Sequence, residues 1–311
     1  MMRKKKCELC PIACTDISIC MGFSLADSPI RTYRNYKITH IPIEKIGFYH
    51  YYPGSSAILV VTSGCNLLCS FCPEHDTVFS FSREKKSLNT LLSRILNLAE
   101  RMGCHMIAFY CNSILDIDLM KSIREKFGYY KIVTLTNGFI SSSHMIDYIK
   151  IVDAILLRIF GFSEETYSRI TPFPDAYRYA REFIDVAKNN NKFLEVEFYV
   201  IPGITKEREF LYFLEFLREV NRDIPLHVRR FRPNFVELER RPTRTEVLLH
   251  YYNIARKYLN YVYADLWISP YSDTFCPNGH LLISRFGWKV KKVYIKKGRC
   301  PICGVEVPIV A

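Results

Sequence analysis

The sequence predicts an α/β fold in which six βα units build a parallel sheet. Three observations lead there. Beyond residue 55, apolar runs of strand length alternate with longer runs whose apolar residues recur at helical spacing. Parallel strands need helical crossovers, so the alternation selects a parallel sheet. Turn chemistry falls between the runs: Thr136-Asn137-Gly138 closes the third strand and Ile201-Pro202-Gly203 the fifth. Six units fit a (βα)6 partial barrel, with a doubly wound sheet as the alternative. In either arrangement ligands sit at the carboxyl ends of the strands.

Taken in order, the first strand is 56–63, built on Ala57-Ile-Leu-Val-Val61, and the first helix is 88–102. Strands 105–110, 131–136, 154–160, 194–201 and 225–231 follow, with helices 116–127, 143–151, 175–190 and 206–220 between them. The last helix is 243–259, where Leu248, Tyr251, Tyr252, Ala255, Tyr258 and Leu259 recur at helical spacing. A chain of 311 residues with 49% hydrophobic content can bury the core such a fold needs. The flanks 1–50 and 266–311 are each too short for an ordinary core, and both carry cysteines, so a metal staple suits them. The expected division is a Cys-rich metal module at 1–50, the barrel at 51–265 and a small ribbon-like module at 266–311.

The segment Gly64-Cys65-Asn66-Leu67-Leu68-Cys69-Ser70-Phe71-Cys72 carries three thiols directly after the first strand. Chance placement of the cysteines gives such a C-x3-C-x2-C triad about 0.02 times. Three thiolates cannot complete the four protein ligands usual for an iron–sulfur cubane, and so leave one iron open to a small molecule. A [4Fe–4S] cluster is the expectation here, with a zinc site or plain buried thiols as the alternatives.

The 12 cysteines cluster at residues 7–20, 65–72 and 276–303, with Cys104 and Cys111 apart, as metal ligands do. No apolar run reaches the roughly 18 to 20 residues that span a bilayer, and none forms a signal-peptide core, so a cytoplasmic protein off the membrane is expected. The formal net charge of +12 leaves every cysteine neutral. Bound metal centres held by thiolates bring it to about +8. A surface of that sign suits nucleic acid or another anionic partner, and an ordinary solvated surface equally.

The cysteine triad at the top of the first strand resembles that of the radical S-adenosylmethionine (SAM) superfamily. What the resemblance implies is a radical SAM (βα)6 partial TIM barrel and a [4Fe–4S] cluster on Cys65, Cys69 and Cys72. The open iron binds SAM, and one electron cleaves it to methionine and a radical that abstracts a substrate hydrogen. Phe71 would pack on the adenine, or else simply cover the cluster. A donor such as ferredoxin or flavodoxin is implied, as is oxygen sensitivity.

Other segments narrow the resemblance. Cys7-Glu-Leu-Cys-Pro-Ile-Ala-Cys14 with Cys20, Phe48-Tyr-His-Tyr-Tyr-Pro-Gly-Ser55, the two turns above, Ile224-Pro-Leu-His-Val-Arg-Arg-Phe-Arg-Pro233, Pro242-Thr243 and Tyr261-Val262-Tyr263 are similar to the AmmeMemoRadiSam-system enzymes. That branch is related to the pyruvate formate-lyase activating enzyme. The tail Thr274-Phe-Cys-Pro277 … Gly298-Arg-Cys-Pro-Ile-Cys-Gly304 completes the match. Two motifs depart from it. Tyr110-Cys111-Asn112-Ser113 stands where the branch has Tyr-Asn-Glu-Pro, and Arg158 and Phe160 stand where it has an Asp-x-Lys pair. The second departure weighs against glycyl-radical activase function.

Cys7, Cys10, Cys14 and Cys20 supply four thiols, which zinc or an auxiliary iron–sulfur cluster would accept. Cys276, Cys300 and Cys303 form a zinc-ribbon-like set, with His280 as the fourth ligand because Gly279 occupies the expected second position. Asn112 and Asn137, at strand ends, are candidates for the polar groups of SAM. Arg158 either holds a carboxylate or caps a strand, and His227 either faces the cofactor or packs in the core. The resulting expectation is a radical SAM enzyme acting on a protein or RNA substrate. The alternatives are a non-catalytic metal scaffold and a nucleic-acid-binding protein.

Overall fold

The computed structural model describes residues 8–13, 32–33, 35–79, 86–111 and 116–310. The predicted strands form β2 (Ser56–Thr62), β3 (Met106–Cys111), β4 (Lys131–Thr136), β5 (Ala154–Ile159), β6 (Phe193–Val200) and β7 (Leu226–Arg230). The helices between and after them are α1 (Leu88–Arg101), α2 (Ile117–Lys126), α3 (Ser142–Ile151), α4 (Ala176–Asn189), α5 (Glu207–Val220) and α6 (Thr245–Ala255). Two further strands extend the sheet. At one edge β1 (Tyr36–Pro42) pairs antiparallel with β2, and at the other β8 (Val262–Ala264) pairs parallel with β7. β1 thus carries the barrel sheet into the segment that the sequence reading assigned to the N-terminal module.

The eight strands lie in simple chain order. A doubly wound sheet would reverse its order at a switch point, and this one does not. All crossovers therefore run the same way, right-handed crossovers put every helix on one face, and the other face curls into the inside of a partial barrel. Alternation along β6 shows the division. Leu194, Val196, Phe198 and Val200 face the helices, where Phe198 meets Phe210 and Phe213 of α5 at ring distances of 4.8 and 5.0 Å. Glu195, Glu197 and Tyr199 face inward and mark three levels of the interior.

The lowest level is a sealed floor. Glu195 is fully buried and accepts hydrogen bonds from the backbone N–H groups of Tyr49 and His50 (3.0 and 2.8 Å), with the His227 Nε2 at 2.7 Å. His50 Nδ1 lies 3.1 Å from the Pro308 carbonyl, which only accepts, so this nitrogen carries the proton. His50 Nε2 then accepts from the Tyr263 hydroxyl at 2.6 Å. Below the floor sits a three-stranded antiparallel ribbon of β9 (Thr274–Phe275), β10 (Leu281–Phe286) and β11 (Lys289–Val293). Its buried Arg285 donates to the Tyr49 carbonyl at 2.6 Å and covers the Tyr49 ring at 4.5 Å. Tyr52 N–H donates to the Val310 carbonyl and Val310 N–H to the His50 carbonyl.

Removing Glu195 strands three buried donors, which costs several kcal/mol. Glu195→Ala should lower unfolding free energy by about 3–5 kcal/mol in urea titrations. Burial also pushes the His50 imidazole down to about 4 from its usual 6.5. The unfolded chain binds a proton there that the folded floor refuses, so stability should fall as the pH drops from 6.5 toward 4. The contribution approaches about 1.4 kcal/mol per pH unit. Unfolding curves across that range should show a shallower dependence in His50→Gln than in the parent chain.

Candidate functional site

The cysteine loop begins where β2 ends, at the carboxyl end of the parallel strands. Gly64 (φ 95°) and Leu68 (φ 55°) take left-handed backbone angles that coil it tightly. Neighbouring elements pin it on three sides. Asn66 donates to the Phe139 carbonyl at 2.6 Å and accepts from Asn137 Nδ2 at 3.1 Å. Ser70 N–H donates to the Ile170 carbonyl, and the Thr171 hydroxyl donates to that of Leu67. From the loop after β7, Val236 N–H donates to the Ser70 carbonyl at 2.9 Å.

The sulfurs sit in a setting that fits a thiolate-held metal group. Backbone N–H groups of Leu67, Leu68 and Asn66 point at Cys65 Sγ, the Leu67 nitrogen at 3.5 Å, with the Asn137 amide 4.0 Å away. Such donors stabilise a sulfur anion. Burial nonetheless pushes the Cys65 thiol up, and the Cys72 thiol up to about 12, so a bound cation is needed to draw the protons off. Cys69 and Cys72 are each 9% exposed.

Phe71 is buried in a ring cluster beside the loop, 5.1 Å from Phe160 and 5.3 Å from Phe231. Phe160, at one of the departures from the family pattern, therefore belongs to an apolar wall. Below that wall lies a cavity of about 460 Å³, which runs from the cysteine loop to the open side of the barrel between β1 and β8. Its middle holds the second inward level. Glu197 Oε2 accepts from Arg158 Nε at 3.0 Å, and Glu197 Oε1 accepts from Arg229 Nε at 2.7 Å. Burial alone would raise the Glu197 carboxyl, but Arg229 and Arg158 outweigh it and hold the group below its usual range. Arg158 also donates to the Tyr110 hydroxyl at 3.0 Å and lies between the Tyr110 and Tyr199 rings.

The backbone of Gly47 packs directly against Glu197 and Arg229. A Cβ there would stand 2.6 Å from Arg229 Nη2 and 2.8 Å from Glu197 Oε1, at a φ of +124°. Glycine is required on both counts.

The structure brings Cys65, Cys69, Cys72, Phe71, Asn137 and Arg158 to one end or wall of the barrel. It does not bring His227 there. That residue is 1% exposed, bonded to Glu195 on the floor, and stacked on Tyr263 at 5.1 Å. The cofactor-facing role considered for it gives way to core packing. Burial, followed by the Arg229 charge, lowers its pKa well below the usual value. Asn112, Cys7, Cys14 and Cys20 lie outside the described residues. Cys10 is buried near the loop after β4, where Ser141 N–H donates to the Leu9 carbonyl. Sequence reasoning missed Glu197 and Tyr199, and placed Tyr110 in a motif without giving it a role. The signal was present as two acids at period two inside an apolar strand.

A second group of ligands stands in the ribbon. Cys276, His280, Cys300 and Cys303 present ligand atoms within 4.8 Å of one another. Cys276 Sγ is 3.8 Å from Cys303 Sγ and 3.4 Å from His280 Nδ1, which is 3.8 Å from Cys300 Sγ. Gly279 (φ +83°) turns the chain so that His280 supplies the fourth atom. The Cys303 thiol is lowered to about 6, chiefly by the Val305 N–H and the Asn278 side chain. This arrangement fits one four-coordinate ion, and bears out the ribbon-like module.

Comparison with known proteins places the architecture. The family model of the radical SAM superfamily matches residues 59–217, just over half of the chain. The uncharacterized protein MJ0808 of Methanocaldococcus jannaschii is 26% identical over 326 residues, covering 99% of this chain and 96% of that protein. TYW1 with a lysine-pyruvate adduct bound is a solved structure that is 14% identical, with a TM-score of 0.45 over 65% of this chain and 74% of its own. SuiB of Streptococcus suis bound to S-adenosylmethionine is 16% identical, with a TM-score of 0.44 over 69% and 46%. From the span of the family match, which takes in the cysteine loop and the strands β3 to β6, the chain belongs to the radical SAM superfamily.

Proposed function

We propose that this chain is an enzyme that uses SAM and a [4Fe–4S] cluster to start hydrogen abstraction, with Cys65, Cys69 and Cys72 as the cluster's protein ligands. The observation that carries the reading is the loop itself: three thiols at a strand's carboxyl end, N–H groups aimed at Cys65 Sγ, and a cavity directly below. When bound, such a cluster supplies an open iron for SAM and the electron that cleaves it.

This chain's own residues do the rest. Phe71, Phe160 and Phe231 shield the loop from water. Asn137, fixed by its bonds to Asn66 and Phe139, presents its amide beside Cys65. Arg158 and Arg229, clamped by Glu197, leave a net positive charge in the cavity wall that suits an anionic group. Arg158 is thus a fixed part of the wall and more than a strand cap. A low-potential donor of the ferredoxin or flavodoxin type is the proposed electron source, and a cytoplasmic setting would keep the thiols reduced. Among the described residues no helix is long and apolar enough to cross a membrane. The AmmeMemo-type motifs support a macromolecular substrate, and the scaffold reading is the alternative that activity would exclude.

For the ribbon the proposed ion is zinc. Ligand bonds of about 2.3 Å to sulfur and 2.1 Å to nitrogen, at the tetrahedral angle, put sulfurs about 3.8 Å apart and sulfur and nitrogen about 3.6 Å apart. The Cys276–Cys303, Cys276–His280 and Cys300–His280 separations of 3.8, 3.4 and 3.8 Å lie close to those values, and all four ligand atoms lie within 4.8 Å of one another. Four protein ligands close the site, so the ion is structural.

Anaerobically reconstituted protein, reduced with dithionite, should convert SAM to 5′-deoxyadenosine. The Cys65→Ala/Cys69→Ala double variant should show background conversion only. A loaded cluster that neither binds nor cleaves SAM would refute the enzyme reading. Metal analysis should show the Cys300→Ser/Cys303→Ser variant holding about one zinc fewer than the parent chain. The melting temperature should drop with it, since Arg285 couples the ribbon to the barrel floor.

A further inference from the structure

We infer that the outer hairpin of the ribbon, residues 286–299, is a docking surface for a single-stranded nucleic acid, which it leads to the mouth of the barrel cavity. The second half of this inference rests on the reading of that cavity as the reaction chamber.

Charge is the first ground. From residue 274 through residue 305 the chain contains no Asp or Glu. Within that stretch Lys289, Lys291, Lys292, Lys296 and Lys297 are all exposed, and none has a carboxylate partner among the described residues. The neighbouring Arg299 is paired with Glu306 at 3.4 Å. Five unneutralised ammonium groups on one hairpin form a local positive field that a phosphate backbone complements.

Aromatic groups are the second ground. Phe286 is 67% exposed, Tyr294 40% and Trp288 39%, all on the same hairpin as the lysines. Large rings left in water between cations are costly to an isolated surface. They are what unstacked bases use, since each base offers a π-face to a ring whatever its sequence. A duplex keeps its bases stacked inside and could not use them. An acidic peptide would satisfy the lysines and leave the rings unused.

Position is the third ground. Trp288 belongs to the hairpin and also lines the barrel cavity, where its ring lies 5.0 Å from that of Trp267. Arg232 covers Trp267 at 5.2 Å and Lys45 covers Trp288 at 5.1 Å. The hairpin surface is therefore continuous with the cavity mouth, and a strand lying on it brings one nucleotide to the two indoles.

The test is fluorescence anisotropy of a labelled single-stranded oligouridylate with the full zinc-loaded chain, from about 50 to about 200 mM salt. Affinity should fall linearly with salt on logarithmic axes, with a slope near −0.7 for each phosphate neutralised. Lys289→Ala/Lys291→Ala/Lys292→Ala should reduce that slope by about 2 and weaken binding at least about tenfold. Trp288→Ala should weaken binding about tenfold with the slope unchanged. Equal competition by polyglutamate would overturn the inference, as would binding to phosphatidylserine vesicles without binding to the oligonucleotide, or affinity indifferent to these variants. The triple-lysine variant should keep its zinc and its SAM cleavage, which shows that it folds. Oligonucleotide binding by a chain that never cleaves SAM would leave the docking surface standing and remove only its connection to catalysis.

Discussion

Two guanidinium groups and one carboxylate share the middle of an open barrel, and Glu197 makes that possible. At 2% exposure, an ionised group without a partner would cost several kcal/mol. Glu197 divides its two oxygens between Arg158 on β5 and Arg229 on β7, so three adjacent strands are tied across their inward face. The remaining positive charge is spread over the Tyr110 and Tyr199 rings and the Tyr110 hydroxyl. An apolar filling of the same space would have left no cavity and no field within it. The triad holds the chamber open and sets its sign.

Above and below that level the barrel is built from opposite materials. The upper wall is aromatic and leads to the cysteine loop, where low polarity strengthens any charge that a bound group brings. The floor is polar but fully engaged, and Glu195 gathers donors from the 48–52 segment and from His227. Because the ribbon's Arg285 reaches the same segment, the module that carries the Cys276, His280, Cys300 and Cys303 cluster also helps to fix the cavity's lower boundary.

Much of this was legible in the sequence. The six βα units could be read because long apolar runs at two different periods leave little ambiguity. β8 could not, since three residues carry no pattern. β1 was hidden by its place before the first apolar run, and only its pairing with β2 identifies it as part of the barrel. Period two revealed that His227 could face inward but not the level at which it would lie, and the level decides between cofactor and core. Glu195 and Glu197 were passed over for the same reason: each needs a partner from another strand, and sequence does not show which strands become neighbours. The ribbon ligands were the easiest to find, because a C-x2-C pair and a nearby imidazole are local.

The floor has a consequence for how the chain is made. His50 is bonded to Pro308 across 258 residues, so the lower closure of the barrel waits for nearly the whole of the chain that precedes it. At roughly 5–20 residues per second, the ribosome takes about 10 to 50 s to cover that distance. During that interval the strands from β2 to β7 and the cysteine loop have all emerged while the floor is still open. A barrel at that stage is unsealed below, and the segment around Pro308 and Val310 is what shuts it.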